Sequence, residues 1–204
     1  LGTPTAAPPL WLAKDHPEIL PLDECGQIKH EGTRRAVCLN SDAYWNHAKR
    51  IVEEMAKTLG DHPQLIAWQI DNGIGSHFTE ASFNEGSRLE WQNWLKLKYQ
   101  TIERLNNLMG LRHWGQTVTD WSQIPMPMAA PTAHNPALAV DWCRFCSDTI
   151  VAFVKMQADI LHEITPACPV TTNLRALRHR FDHFDLAGVI DFVSIESTSA
   201  IKPK

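Results

Sequence analysis

The segment Leu65-Ile66-Ala67-Trp68-Gln69-Ile70 is a short apolar run set between Pro63 and the polar, glycine-rich stretch Asp71-Asn72-Gly73-Ile74-Gly75. A run too short for a typical helix and closed by turn residues reads as a buried strand emptying into a loop. Just before it, Tyr44, Ala48, Ile51, Val52, Met55, Ala56 and Leu59 repeat at the spacing of one buried helix face. Ser41 is placed to cap that helix and Gly60 to sit just past its end. A buried strand between long helices belongs in a parallel sheet, and such sheets gather chemistry at the C-terminal ends of their strands. Gln69, Asp71 and Asn72 are therefore the first candidates for a site. Gly73 stands where a functional side chain is expected and brings none.

The remaining pattern extends this arrangement. Residues 2–9 form a Pro-rich loop, Trp11-Leu12 a short helical turn ended at Asp15-His16-Pro17, and residues 21–40 a long irregular connection. Helical periodicity returns over 79–99, with Trp91, Trp94 and Leu95 on one side, and over Ile102, Leu105, Leu108 and Met109 up to Gly110. A long helix spans 137–164, its inward set including Leu138, Trp142, Phe145, Cys146, Thr149, Phe153 and Leu161. Strands are predicted from Cys168 to Asn173 and from Val189 to Ser194, with a short helix from His183 to Ala187 between them. The second of these strands empties into Glu196-Ser197-Thr198-Ser199. Strands alternating with helices predict an α/β fold with right-handed parallel crossovers. Three strands do not close a barrel, which in this class needs about eight.

Composition narrows the function classes. The chain has 204 residues, enough for one domain with a sizeable core, and a net charge of −4. That charge offers no basic field for nucleic acid and no polybasic membrane patch. No apolar run is long enough to span a bilayer, and the start at Leu1-Gly2-Thr3-Pro4 has no signal-peptide pattern and reads as the middle of something larger. The five cysteines form an odd set without a repeated metal-binding spacing. Cys143 and Cys146 lie on the long helical pattern and read as buried thiols. The set favours a reducing, cytoplasmic setting.

Four stretches carry a resemblance. Residues 3–12 (TPTAAPPLWL), 61–72 (DHPQLIAWQIDN), the segment Thr119-Asp120-Trp121-Ser122-Gln123-Ile124-Pro125, and 169–173 (PVTTN) resemble the catalytic barrel of the β-galactosidases of glycoside hydrolase family 42. The resemblance runs nearly end to end. It implies that residues 1–204 are one partial domain: the middle of a (β/α)₈ TIM barrel, about strands 4 to 6 with their helices, preceded by the loop after strand 3. It implies retaining hydrolysis of a terminal β-D-galactosyl bond by two carboxyl groups about 5–5.5 Å apart. In the family the fourth strand ends Asn-Glu, and that Glu is the acid/base; here the pair is Asn72-Gly73. The family's nucleophile follows the seventh strand, beyond Lys204. Neither catalytic carboxylate is thus expected in the chain as given, and restoring Gly73→Glu in a full-length context is expected to raise activity by orders of magnitude.

The resemblance further implies that Arg35 and Asn72 contact the sugar and that Trp114 borders the subsite. Some members hold a structural zinc through four cysteines. Here Cys38 matches the first, while Ser82, Asn84 and Ser87 stand at the other three positions, a set that predicts no zinc and no cofactor. The sixth strand ends Ile195-Glu196-Ser197-Thr198 instead of the family's Trp-containing pattern, which puts the pocket floor in doubt. Among spare carboxylates, Glu196 at a strand end is the best candidate for a site role, ahead of Glu80 and Glu85 at a helix start and of Asp71, whose reading is structural. His77 reads as a solvated side chain. Two functions remain open: a β-galactosidase segment that is inactive as given, or a non-catalytic galactoside-binding or assembly module. The family is commonly oligomeric, often trimeric, and exposed strand edges favour self-association.

Overall fold

The computed structural model describes residues 1–75, 81–175 and 181–196, the side chains of Arg175 and Glu196 excepted. Glu80, His77 and Ser197–Ser199 lie outside the described residues. The strands are short and all parallel. β1 (Trp68–Gln69) pairs with β2 (Val170–Thr171), and β3 (Asn173–Arg175) pairs with β4 (Ser194–Glu196). Only Thr172 separates β2 from β3, so one extended segment has β1 on one side and β4 on the other. Gly2 adds a parallel bridge to Gln69 on the far edge of β1. Strand neighbours therefore follow chain order, with helices between them, as in consecutive βα units.

Six α-helices are present among the described residues: α1 (Leu10–Asp15), α2 (Asp42–Leu59), α3 (Glu85–Tyr99), α4 (Ile102–Met109), α5 (Pro136–Ile164) and α6 (His183–Ala187). Polar side chains start most of them: Ser41, Asn84, Thr101, Asn135 and Asp182 each accept from backbone N–H groups of the first turn. α2 and the C-terminal half of α5 cover the strands. Val52, Ala56, Phe153, Val154 and Leu161 bury the inward side chains Trp68, Ile70, Val170 and Leu174. The N-terminal half of α5 joins a second core with α3 and α4, built on Trp91, Leu95, Leu105, Met109, Trp142 and Phe145. Buried Asp141 on α5 ties it to α3 by accepting from Tyr99 Oη at 2.6 Å and Lys98, and also accepts from Arg144 Nη1 at 3.1 Å on its own helix.

Several boundaries differ from the sequence expectation. The first strand covers only Trp68–Gln69 of the expected 65–70. Leu65 N–H closes a turn on His62 O and Gln64 N–H donates to His62 Nδ1, so neither is free for a ladder. The helix expected over 79–99 starts at Glu85, where Asn84 caps it. The third strand begins at Ser194 rather than Val189, because residues 189–192 turn back. Val189 N–H bonds Leu186 O, and the Asp191 carboxylate accepts Val170 N–H at 2.7 Å. Ile51, expected inward on α2, is 41% exposed, and Cys143 is exposed while Cys146 is buried. Gly60 ends α2 with right-handed φ, not the left-handed cap. Its role is close packing, since a Cβ there would lie 2.3 Å from Thr165 Cγ2.

Asp191 also accepts from His162 Nε2 at 2.9 Å, clasping the end of α5 to β2. The His162 hydrogen bond and then Val170 N–H hold the Asp191 carboxyl below its usual range. A carboxyl depressed in the folded state adds stability above its unfolded pKa of about 3.9, and that stability is lost as pH falls through the folded value. Urea denaturation from pH 7 to 3 is expected to show Asp191→Asn less stable than wild type at neutral pH, with the gap closing in acid. A gap independent of pH would contradict the clasp.

Candidate functional site

The site forms where β1 runs out. β1 is held from both sides: Ile70 N–H donates to Thr171 O at 2.6 Å, and Thr3 N–H donates to Gln69 O at 2.9 Å. The next residue, Asp71, leaves the strand with φ of 58°, in the left-handed region that Asp tolerates better than most residues. That turn sends its side chain inward, where it is fully buried. A buried carboxylate persists only if paired and hydrogen-bonded. Asp71 accepts from Arg35 Nη2, from Thr5 Oγ1 at 2.9 Å and from Asn72 N–H, while its own N–H donates to Thr3 Oγ1 at 2.8 Å.

Arg35 is 4% exposed and also left-handed, with φ of 70°. Its Nη2 donates to Asn72 O at 2.7 Å as well as to Asp71. Two adjacent charged residues in a sparsely populated conformation are the kind of strain that functional loops retain. Around them lies a polar shell. Thr3 Oγ1 donates to Gln157 Oε1 at 2.8 Å, and Tyr44 Oη donates to Thr5 O. Burial, and then the charge of Asp71, push the Tyr44 hydroxyl well above its ordinary range, so it stays a neutral donor.

This foundation carries an exposed rim. Asn72 is exposed, while Gly73 behind it is buried with φ of 67°. Gly73 N–H donates to Asn173 Oδ1 at 2.8 Å, and Asn173 Nδ2 donates to Asn72 Oδ1 at 3.1 Å. The turn after β1 is thereby laced to the start of β3. The structure thus joins Arg35, Asn72 and Gly73, with Arg35 beneath the rim rather than on it. It does not join Trp114, which is 75% exposed and stacks on His113 at 4.7 Å. Glu196 closes β4 in register with Arg175. Asp71 takes the structural part expected of it, and Glu85 opens α3 paired to Arg88.

The strand-end rule that singled out Asn72 also fits Asn173, at the end of Val170-Thr171-Thr172, and would have found it. Nothing in local sequence signals Gln157, which reaches the network from the middle of α5. The zinc positions also meet in space: Cys38 Sγ lies 3.3 Å from both Asn84 Oδ1 and Ser87 Oγ. Ser82 Oγ instead accepts Leu22 N–H at 3.1 Å. One thiol among neutral oxygens does not fit a tetrahedral thiolate site.

The family model of glycoside hydrolase family 42, described as β-galactosidase, matches residues 1–200. β-Galactosidase LacZ of Heyndrickxia coagulans is 38% identical over 194 residues, covering 95% of this chain and 29% of that protein. Solved β-galactosidases from the psychrophilic Marinomonas ef1 and from Halorubrum lacusprofundi superpose with TM-scores of 0.94, at 37% and 34% identity, each over 97% of this chain and 30% of theirs. The chain therefore spans about 30% of the relatives it matches. Its parallel βα units are a segment of their TIM barrel.

Removing one member of a buried ion pair leaves the other uncompensated, at about 3–5 kcal/mol. Arg35→Met is expected to lose stability on that scale in urea denaturation; a loss below about 1 kcal/mol would contradict the foundation. Gly73→Ala is expected to cost about 1–2 kcal/mol, the penalty of a side chain in the left-handed region.

Proposed function

The chain belongs to glycoside hydrolase family 42, and from that premise we propose that it is a β-galactoside-recognising barrel segment that carries no proton donor for hydrolysis. The observation that carries this reading is the pair at the end of β1. Asn72 is exposed on a braced rim, and Gly73, which the resemblance to the family sets at the place of its acid/base glutamate, has no side chain. Retaining hydrolysis needs one carboxyl to protonate the leaving oxygen and another to attack the sugar. Position 73 supplies neither a proton nor a charge. The terminal galactosyl group is the substrate class, Asn72 its contact, and Arg35 the support of that contact. Trp114 and Glu196 are kept as proposed borders of the pocket.

The same observation supports the second reading, a galactoside-binding module without turnover, because the rim is intact while the acid is missing. The second reading predicts saturable galactose binding at millimolar concentration, and both readings predict no release of aglycone from an aryl β-galactoside. Calorimetry and a chromogenic assay check the two. Turnover above the protein-free control, abolished by a substitution in this chain, would overturn the inactivity. Absence of binding heat would remove galactoside recognition.

The acid/base assignment has its own test in a polypeptide of the relatives' full length. General acid assistance contributes about 10²–10⁴-fold, equivalent to about 3–5 kcal/mol. That exceeds the strain of about 1–2 kcal/mol for a side chain at a left-handed position. Gly73→Glu is therefore expected to raise kcat by at least about 10²-fold. An unchanged kcat would contradict the assignment.

A further inference from the structure

We infer that Asn173 is a positioning residue that fixes which face of the Asn72 amide the site presents, making the rim a hydrogen-bond donor toward a ligand hydroxyl oxygen. The inference rests on the reading of this strand end as a sugar subsite. It starts from a group whose polarity is not in question. A backbone N–H can only donate, and Gly73 N–H meets the Asn173 side chain at 2.8 Å. The Asn173 atom there must be the amide oxygen, because the reverse orientation sets donor against donor.

The consequence passes along the chain of contacts. With Oδ1 committed to Gly73, Asn173 turns its Nδ2 toward Asn72 at 3.1 Å. Nδ2 has only protons to offer, so the Asn72 atom facing it must be Oδ1. Asn72 Nδ2 then points away from this contact. It has no hydrogen-bond partner among the described residues, and the residue is exposed. The rim thus offers N–H groups and withholds the carbonyl, and a ligand that satisfies it must bring an acceptor oxygen. A saccharide hydroxyl does so, and its own proton stays available to another acceptor. Asn72 is anchored from below as well, through Arg35 Nη2 on its carbonyl and Asp71 on its N–H, so the side-chain amide is the part left for Asn173 to set.

The test is Asn173→Asp. Aspartate still accepts Gly73 N–H but cannot donate to Asn72, which should turn its amide to donate inward and show its oxygen outward. Side-chain amide exchange by ¹⁵N NMR on the full chain reads the orientation. In wild type the Asn72 Nδ2 protons are expected to exchange about tenfold faster than those of Asn173, and in Asn173→Asp they become protected, consistent with gaining a partner. Galactose affinity should fall about tenfold with the lost donor, while the melting temperature holds. Protected Asn72 protons in wild type, a readout that needs no variant, overturn the inference. So does an Asn173→Asp protein with unchanged exchange and affinity. If wild type binds no galactose, the sugar reading fails, while the exchange order still decides the orientation.

Discussion

The buried pair of Arg35 and Asp71 is the interaction on which the rest of the site depends. Two charges withdrawn from water at the end of a barrel strand are tolerable because they face each other and Asp71 is met on several sides, while Arg35 bonds through Nη2 and its buried Nε has no hydrogen-bond partner among the described residues. Asp71 accepts from a guanidinium, a threonine hydroxyl and a backbone N–H, and Arg35 spans from that carboxylate to the carbonyl of Asn72. The pair draws together three separate parts of the chain: the loop after Gly2, the long connection holding Arg35, and the turn after β1. None of these is a helix or a strand. Their relative placement comes from electrostatics and hydrogen bonding, and the rim of Asn72 and Asn173 rests on it.

The amphipathic helices were legible in the sequence because periodicity reports burial directly. α2, α4 and α5 begin and end within a residue or so of where their apolar stripes and capping residues place them. The strands were legible in order and direction but not in extent. Leu65 and Ile66 have strand-like composition, yet a local turn on His62 takes the N–H of Leu65. Val189 to Val193 are lost to β4 for a similar reason, since Asp191 caps the neighbouring strand through its side chain. Where a local turn or a polar side chain takes the backbone groups of a ladder, hydrophobic pattern alone overestimates the strand.

The site was half legible. Strand-end position marked Gln69, Asp71 and Asn72, of which Gln69 braces the turn by donating to Asp71 O at 3.0 Å, and the family resemblance marked Arg35. Neither could show that Arg35 lies under the rim, because its left-handed backbone and its carbonyl contact to Asn72 are tertiary facts. Trp114, which the resemblance marked as a border of the subsite, stands exposed beside His113 and apart from the network of Arg35, Asn72 and Asn173. The positive φ of Gly73 gives a physical reason for glycine at that position, beside the proposed absence of an acid there.

The proposed site is a rim that meets a sugar hydroxyl and lacks a proton donor. A crystal structure of the chain with a non-hydrolysable terminal β-galactoside tests it most directly. The expected result has a galactosyl oxygen within hydrogen-bond distance of Asn72 Nδ2 and no carboxyl group of this chain near the glycosidic oxygen. A carboxyl within about 3 Å of that oxygen, or the sugar seated away from Asn72, would contradict it.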